Sequence, residues 1–162
     1  MRLKSVIIIA ASLLSPAMAG ETPWQEIAPG VNVRLISAGE VKADRTAWFG
    51  LEIDMPDNTK TYWRVPGDTG LPTMLELADN HHVQSVSVHW PFPTIDQTQE
   101  YLDYAYFGHT VLPIEAVVNE TDGHLSLAAT LGICSEICVP AQAAFVMPLA
   151  DDVPDAPNRL RI

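Results

Sequence analysis

The stretch "HLSLAATLGI" sets Leu125, Leu127, Ala129, Leu131 and Ile133 on one side of an extended chain, with polar or small residues between them. That period of two is the mark of a half-buried strand, because successive side chains of a strand point to opposite faces. It recurs. "RTAWFGLEID" alternates Ala47, Phe49, Leu51 and Ile53, and "VQSVSVHW" puts Val86, Val88 and Trp90 on one face. Shorter candidates are Val31 to Ile36, Thr61 to Val65, Val111 to Val117 and Ala143 to Leu149. Turn residues separate them: Pro56-Asp57-Asn58, Pro66-Gly67-Asp68, Asp79-Asn80 and Thr121-Asp122-Gly123. No stretch carries a capped, ten-residue helix with apolar positions at i, i+3, i+4 and i+7. Seven or eight short strands and 13 prolines predict an all-β fold, an antiparallel sandwich of the immunoglobulin type.

The N-terminus is different in kind. "MRLK" is basic, "SVIIIAASLLSPA" is an apolar run, and Ala17-Met18-Ala19 places small residues where a leader is cleaved. Residues 1–19 are therefore expected to be an export signal. The run is too short to span a bilayer and contains Pro16, so no stable membrane insertion is expected. The periplasm of a bacterium is the expected destination. Residues 20–150 then form one domain, a size that can bury a core without a disulfide. Residues 151–162, "DDVPDAPNRLRI", are expected to be an acidic, Pro-rich tail, frayed or lying against the domain.

Charge removes several function classes. The chain carries 20 acidic and 9 basic residues, a net charge of −11, and loss of Arg2 and Lys4 with the leader makes this about −13. Nucleic acid and anionic lipid are bound through Lys and Arg, so neither is an expected partner. No Ser/His/Asp set and no phosphate-binding loop stands out, and no cofactor is expected.

The chain has two cysteines, Cys134 and Cys138, in "LGICSEICVP". In one extended strand their Cα atoms would lie roughly 13 Å apart, whereas a disulfide needs about 4.4–6.8 Å. If bonded, "CSEIC" must turn back on itself, as a tight hairpin or a single helical turn. The apolar strand before it and "VPAQAAFVMPL" after it fit a hairpin with both thiols at its tip. So short a loop gives a bond worth at most roughly 1–2 kcal/mol through unfolded-state entropy. It is a poor staple and a good switch, so dithiol–disulfide exchange is the expected chemistry. Glu136 between the cysteines and the acidic surface disfavour a thiolate, which predicts slow reaction outside a matched complex.

"TYWRVPGDTGLPTMLEL", "VQSVSVHWPFP", "YFGHTVLPIE" and "CSEICVPAQAAF" occur in this order, and together they resemble the N-terminal periplasmic domain of the thiol:disulfide interchange protein DsbD family. The likeness runs from about Trp24 to Leu149, and the three-residue spacing of the cysteines favours the suppressor-of-copper-sensitivity (ScsB) branch. The resemblance implies an immunoglobulin-like sandwich that relays electrons from a membrane-embedded thiol reductase to periplasmic thioredoxin-like proteins, with a link to copper tolerance. The chain shows no transmembrane conduit or thioredoxin-like domain of its own, so either the donor is expected on another polypeptide or the relay role has been lost. Cys134 and Cys138 match the redox pair, and an aromatic residue that shields the disulfide in the family corresponds here to Tyr106 or Phe107.

A second class stays open, a non-catalytic binding module holding copper or a protein partner. His81, His82, His89, His109 and His124 suit copper or zinc chemically, but they share no ligand spacing with the cysteines, and no metal site is expected. Tyr62, Trp63 and Arg64 are read as core and rim, and Pro66-Gly67-Asp68 as a turn. The two classes part on the sulfurs: bonded beneath an aromatic ring, or splayed beside histidines.

Overall fold

The computed structural model describes residues 20–79, 81–97, 100–151 and 156–162. The expected leader (residues 1–19), Asn80 of one expected turn and residues 152–155 of the expected tail lie outside them.

Among the described residues there are eleven strands: β1 (Gln25–Ala28), β2 (Val31–Val41), β3 (Thr46–Asp54), β4 (Lys60–Gly67), β5 (Met74–Asp79), β6 (Val83–Val88), β7 (Thr94–Asp96), β8 (Asp103–Phe107), β9 (Thr110–Val118), β10 (His124–Cys134) and β11 (Cys138–Pro148). They form two antiparallel sheets. The first runs β1-β2-β3-β9-β6, and the second runs β11-β10-β4-β8-β7, with β5 pairing β10 beside β4. This is the expected immunoglobulin-like sandwich.

The alternation read from sequence is what closes it. Ala47, Phe49, Leu51 and Ile53 of β3 face Leu125, Leu127, Ala129, Leu131 and Ile133 of β10 across the interior, in one buried cluster with Leu112 and Ile114 of β9 and Phe145 of β11. Each fully buried Leu, Ile or Phe contributes ~1.5–3 kcal/mol. A five-residue disulfide loop adds little to that, so the cysteine pair is not needed to hold the sandwich.

The strands missed from sequence are short or lack the period. In β8, Ala105 and Tyr106 point to opposite faces and both are buried. Its partner β4, which the sequence did mark over Thr61 to Val65, is likewise covered on both faces at Thr61 and Tyr62, both inaccessible. A strand covered on both faces shows no alternation. The cover on the outer face is the segment 68–73. Thr73 donates its hydroxyl to the Tyr62 carbonyl at 2.7 Å, and Gly70 lies flat on the Tyr62 ring. A Cβ at Gly70 would sit 2.2 Å from a ring carbon, so only glycine lets the chain pass there. Leu71 closes in the same way over Gly132 of β10.

The C-terminal residues pack against the domain. A single helical turn, α1 (Ala156–Arg159), lies on β2. Asn158, 1% exposed, donates to the Gly20 carbonyl at 3.0 Å. Arg161 pairs with Glu21 and with the buried Glu52 of β3, which also accepts from Arg34 and His109.

Candidate redox site

Cys134 ends β10 and Cys138 begins β11, and they are the last facing pair of that hairpin. Their Cα atoms are 4.1 Å apart and the sulfurs are bonded. Ser135, Glu136 and Ile137 make the turn, all exposed. The expected hairpin, rather than a helical turn, is the form taken.

The pair is asymmetric. Leu131 and Ile133 point into the main core, so Cys134 points to the outer face of the second sheet, where segment 68–73 has built a small second core of Tyr62, Ala105 and Cys134. Cys134 is 3% exposed, whereas Cys138 is open to solvent. Tyr62, fully buried, donates its hydroxyl to Cys134 Sγ at 2.9 Å and lies 3.5 Å from Cys138 Sγ. The residue read from sequence as plain core thus touches both sulfurs.

A second residue of β4 completes the surroundings. Lys60 pairs in register with Cys134 on one side and Phe107 on the other. Its Nζ lies 2.8 Å from both Asp96 Oδ2 of β7 and Asp103 Oδ2 of β8, and 5.4 Å from the centre of the Tyr62 ring. Asp103 also accepts from the Thr69 amide at 3.0 Å and the Thr69 hydroxyl at 2.6 Å. Burial would push Lys60 down, but the hydrogen bonds it donates to Asp103 and Asp96 outweigh it and hold the ammonium above its ordinary range. Burial would likewise push Asp103 up, and the bonds from Lys60 and Thr69 overcome it, leaving the carboxylate below its ordinary range. These groups line an open cleft of about 380 Å³ that runs along the disulfide, with Tyr101, Phe107 and Glu136 on its rim. The sequence offered one clue that went unread, a lone lysine two positions before a tyrosine and so on the same strand face.

Of the two aromatics expected to shield the bond, the structure separates one from the other. Tyr106 faces the main core, 5% exposed, and its hydroxyl donates to the Pro91 carbonyl at 2.8 Å. It sits on the opposite sheet face from the sulfurs, because one step along a strand reverses the side chain. Burial pushes its phenol up to about 12. Phe107 is on the cleft side and 39% exposed, beside Tyr101, which the sequence reading did not name.

The histidines are engaged elsewhere. His109 bonds Glu52 at 2.6 Å, His89 bonds Glu115 at 2.8 Å and stacks on Trp48, and His82 packs on His124. None of the five lines the cleft, and among the described residues no three His, Cys, Asp or Glu side chains gather as a metal-holding group. No helix among the described residues is long and apolar enough to cross a membrane.

Residues 32–150 match the family model for the N-terminal part of thiol:disulfide interchange protein DsbD. The crystal structure of the N-terminal periplasmic domain of ScsB from Proteus mirabilis is similar, with a TM-score of 0.75 at 23% identity, over 88% of this chain and 56% of that one. At that identity the likeness is one of fold, and the chain spans 56% of the length of that structure. No curated protein sequence matches the chain.

Proposed function

Because the chain belongs to the family of the N-terminal domain of thiol:disulfide interchange protein DsbD, we propose that Cys134 and Cys138 are its working redox pair. The observation that carries the reading is the asymmetry of the bond: one sulfur open, the other buried against a hydroxyl donor.

Exchange begins at the open end. A partner thiolate attacks Cys138 Sγ in line with the S–S bond, a new disulfide forms to the partner, and the electron pair leaves on Cys134 Sγ. The Tyr62 hydroxyl already points at that atom, so the charge develops on a sulfur with a donor in place. A second partner thiolate then attacks its own sulfur in the mixed disulfide and releases Cys138. The chain is now reduced and the partner oxidised. Run in reverse, Cys138 attacks an acceptor disulfide and Cys134 resolves it.

The expected leader and the family support the setting of this reading. The domain works in the periplasm, taking electrons from a membrane-embedded thiol reductase on another chain and passing them to thioredoxin-like proteins, with a role in copper tolerance. Phe107 and Tyr101, on the rim of the cleft, shield the bond between encounters.

Two measurements test the exchange. A redox titration with thiol trapping should convert both cysteines together; persistence of the bond well below about −300 mV marks a structural disulfide and ends the proposal. Cys134→Ser should accumulate a mixed disulfide with a thioredoxin-like partner through Cys138, because the resolving thiol is gone. Cys138→Ser should trap far less, since its remaining thiol is buried.

A further inference from the structure

The exchange leaves an anion on Cys134, and most of the charged groups around it are of the wrong sign. Facing the cleft are Asp96 from β7, Asp103 from β8 and Glu136 from the hairpin tip, with the phenols of Tyr62 and Tyr101. Carboxylates near a thiolate destabilise it, and burial adds to the penalty. Lys60 is the basic side chain of this wall. It is the ladder neighbour of Cys134, and its ammonium stands over the ring whose hydroxyl touches Cys134 Sγ.

A cation held against a phenol ring draws charge from the O–H group and makes it a stronger donor. The charge also favours an anion beyond that hydroxyl directly. A lysine on a flexible stem does this only if it is held in place, and Asp96 and Asp103 hold it from two strands, each at 2.8 Å.

We propose that Lys60, clamped by Asp96 and Asp103, is a positioning residue that stabilises the departing Cys134 thiolate through Tyr62, the aspartates setting how much positive charge reaches the sulfur. This rests on the exchange reading for its purpose, since it concerns the atom on which the electron pair is left when the Cys134–Cys138 bond breaks. It does not rest on the identity of any partner.

A purely structural clamp and an electrostatic one differ in sign. If the clamp only braces β4 against β7 and β8, removing either end loosens the site in the same sense. If charge is what matters, the two ends act oppositely. Lys60→Met removes the cation and leaves two carboxylates; Asp96→Asn removes an anion and leaves the cation paired with Asp103.

The experiment uses the full chain carrying Cys138→Ser, so that Cys134 is the thiol observed. Its ionisation is followed by ultraviolet thiolate absorbance against pH. Lys60→Met should raise the Cys134 pKa by about 1 or more, Asp96→Asn should lower it, and Lys60→Arg should keep it near the parent value. In the disulfide-bonded chain with both cysteines, reduction by dithiothreitol should be slower in Lys60→Met and faster in Asp96→Asn, because a lower-pKa thiol leaves faster. Shifts of the same sign in both variants, or of neither, overturn the proposal. If Lys60→Met does not fold, Asp96→Asn decides alone: an unchanged or raised pKa overturns it. No partner protein is needed, so this result and partner trapping fail independently.

Discussion

The Tyr62 hydroxyl donates to Cys134 Sγ at 2.9 Å, joining residues 72 positions apart in the chain. The contact depends on Gly70, which lets segment 68–73 lie on the Tyr62 ring and seal the outer face of the sheet around the buried sulfur.

Tyr62→Phe keeps the ring and removes the donor. The fold should persist, at a cost of about 1 kcal/mol for one neutral hydrogen bond, read from the urea midpoint. Reduction of the disulfide by dithiothreitol should slow, because the leaving thiolate loses its donor. An unchanged rate beside a measurable stability loss would make the bond structural only.

Stability should fall at both ends of the pH range, for separate reasons. Asp103 is depressed in the fold, so its contribution is complete above the unfolded value of about 3.9 and is lost as pH falls through the lower folded value. Tyr106 is raised to about 12, so the fold favours the neutral phenol. Its contribution is complete below about pH 10 and is lost as pH climbs through the folded value. Lys60, also raised, acts in the same sense. Urea denaturation against pH should show Asp103→Asn flattening the acid limb and Tyr106→Phe flattening the alkaline one. An alkaline limb unchanged in Tyr106→Phe would assign that limb to Lys60 alone.

Sequence made the hairpin tip legible because two cysteines with three residues between them cannot bond unless the chain reverses. It made β3 and β10 legible because one face of each carries the apolar core residues and the other mostly small or polar ones. The surroundings of the sulfurs were not legible, and the reason is physical. Thr61 and Tyr62 of β4 and Ala105 and Tyr106 of β8 are covered on both faces, so although Thr61 to Val65 reads as a strand, neither pair carries an alternation that tells which side meets the sulfurs. Lys60 meets Cys134 through a ladder pairing, which local sequence does not state. Glu136 and the acidic surface were legible from composition, but the placement of Lys60 in the cleft beside the cysteines was not. The tail was legible only as two alternatives, frayed or lying against the domain, because its acidic start says nothing of Asn158 and Arg161, which make the contacts.

That tail supplies a control on the opposite sheet. Asn158→Ala removes a buried donor to the Gly20 carbonyl, which still accepts from the Ser37 amide at 2.8 Å. The cost should be about 1–2 kcal/mol, with faster proteolysis of the C-terminal residues. Dithiothreitol should reduce the disulfide at the parent rate, because α1 packs on β2 in the other sheet. A changed rate would mean that the two sheets are coupled.

The shield over the disulfide should lie with Phe107 and Tyr101. Both are exposed on the cleft rim, where a ring can exclude a small thiol from Cys138 and add a sulfur–aromatic contact of roughly 0.3–1.5 kcal/mol. Alanine at either should leave the urea midpoint nearly unchanged, because neither side chain belongs to the main core. It should also speed reduction by dithiothreitol. Reduction by a thioredoxin-like partner should change less, since a docking protein displaces the ring in any case. Tyr106→Ala should behave in the opposite way. It empties a buried aromatic site between the sheets, which costs about 3 kcal/mol or more, and it uncovers nothing at the sulfurs. Faster dithiothreitol reduction in Tyr106→Ala at full stability, with Phe107→Ala and Tyr101→Ala unchanged, would return the shield to Tyr106 and require β8 to turn its other face to the cleft.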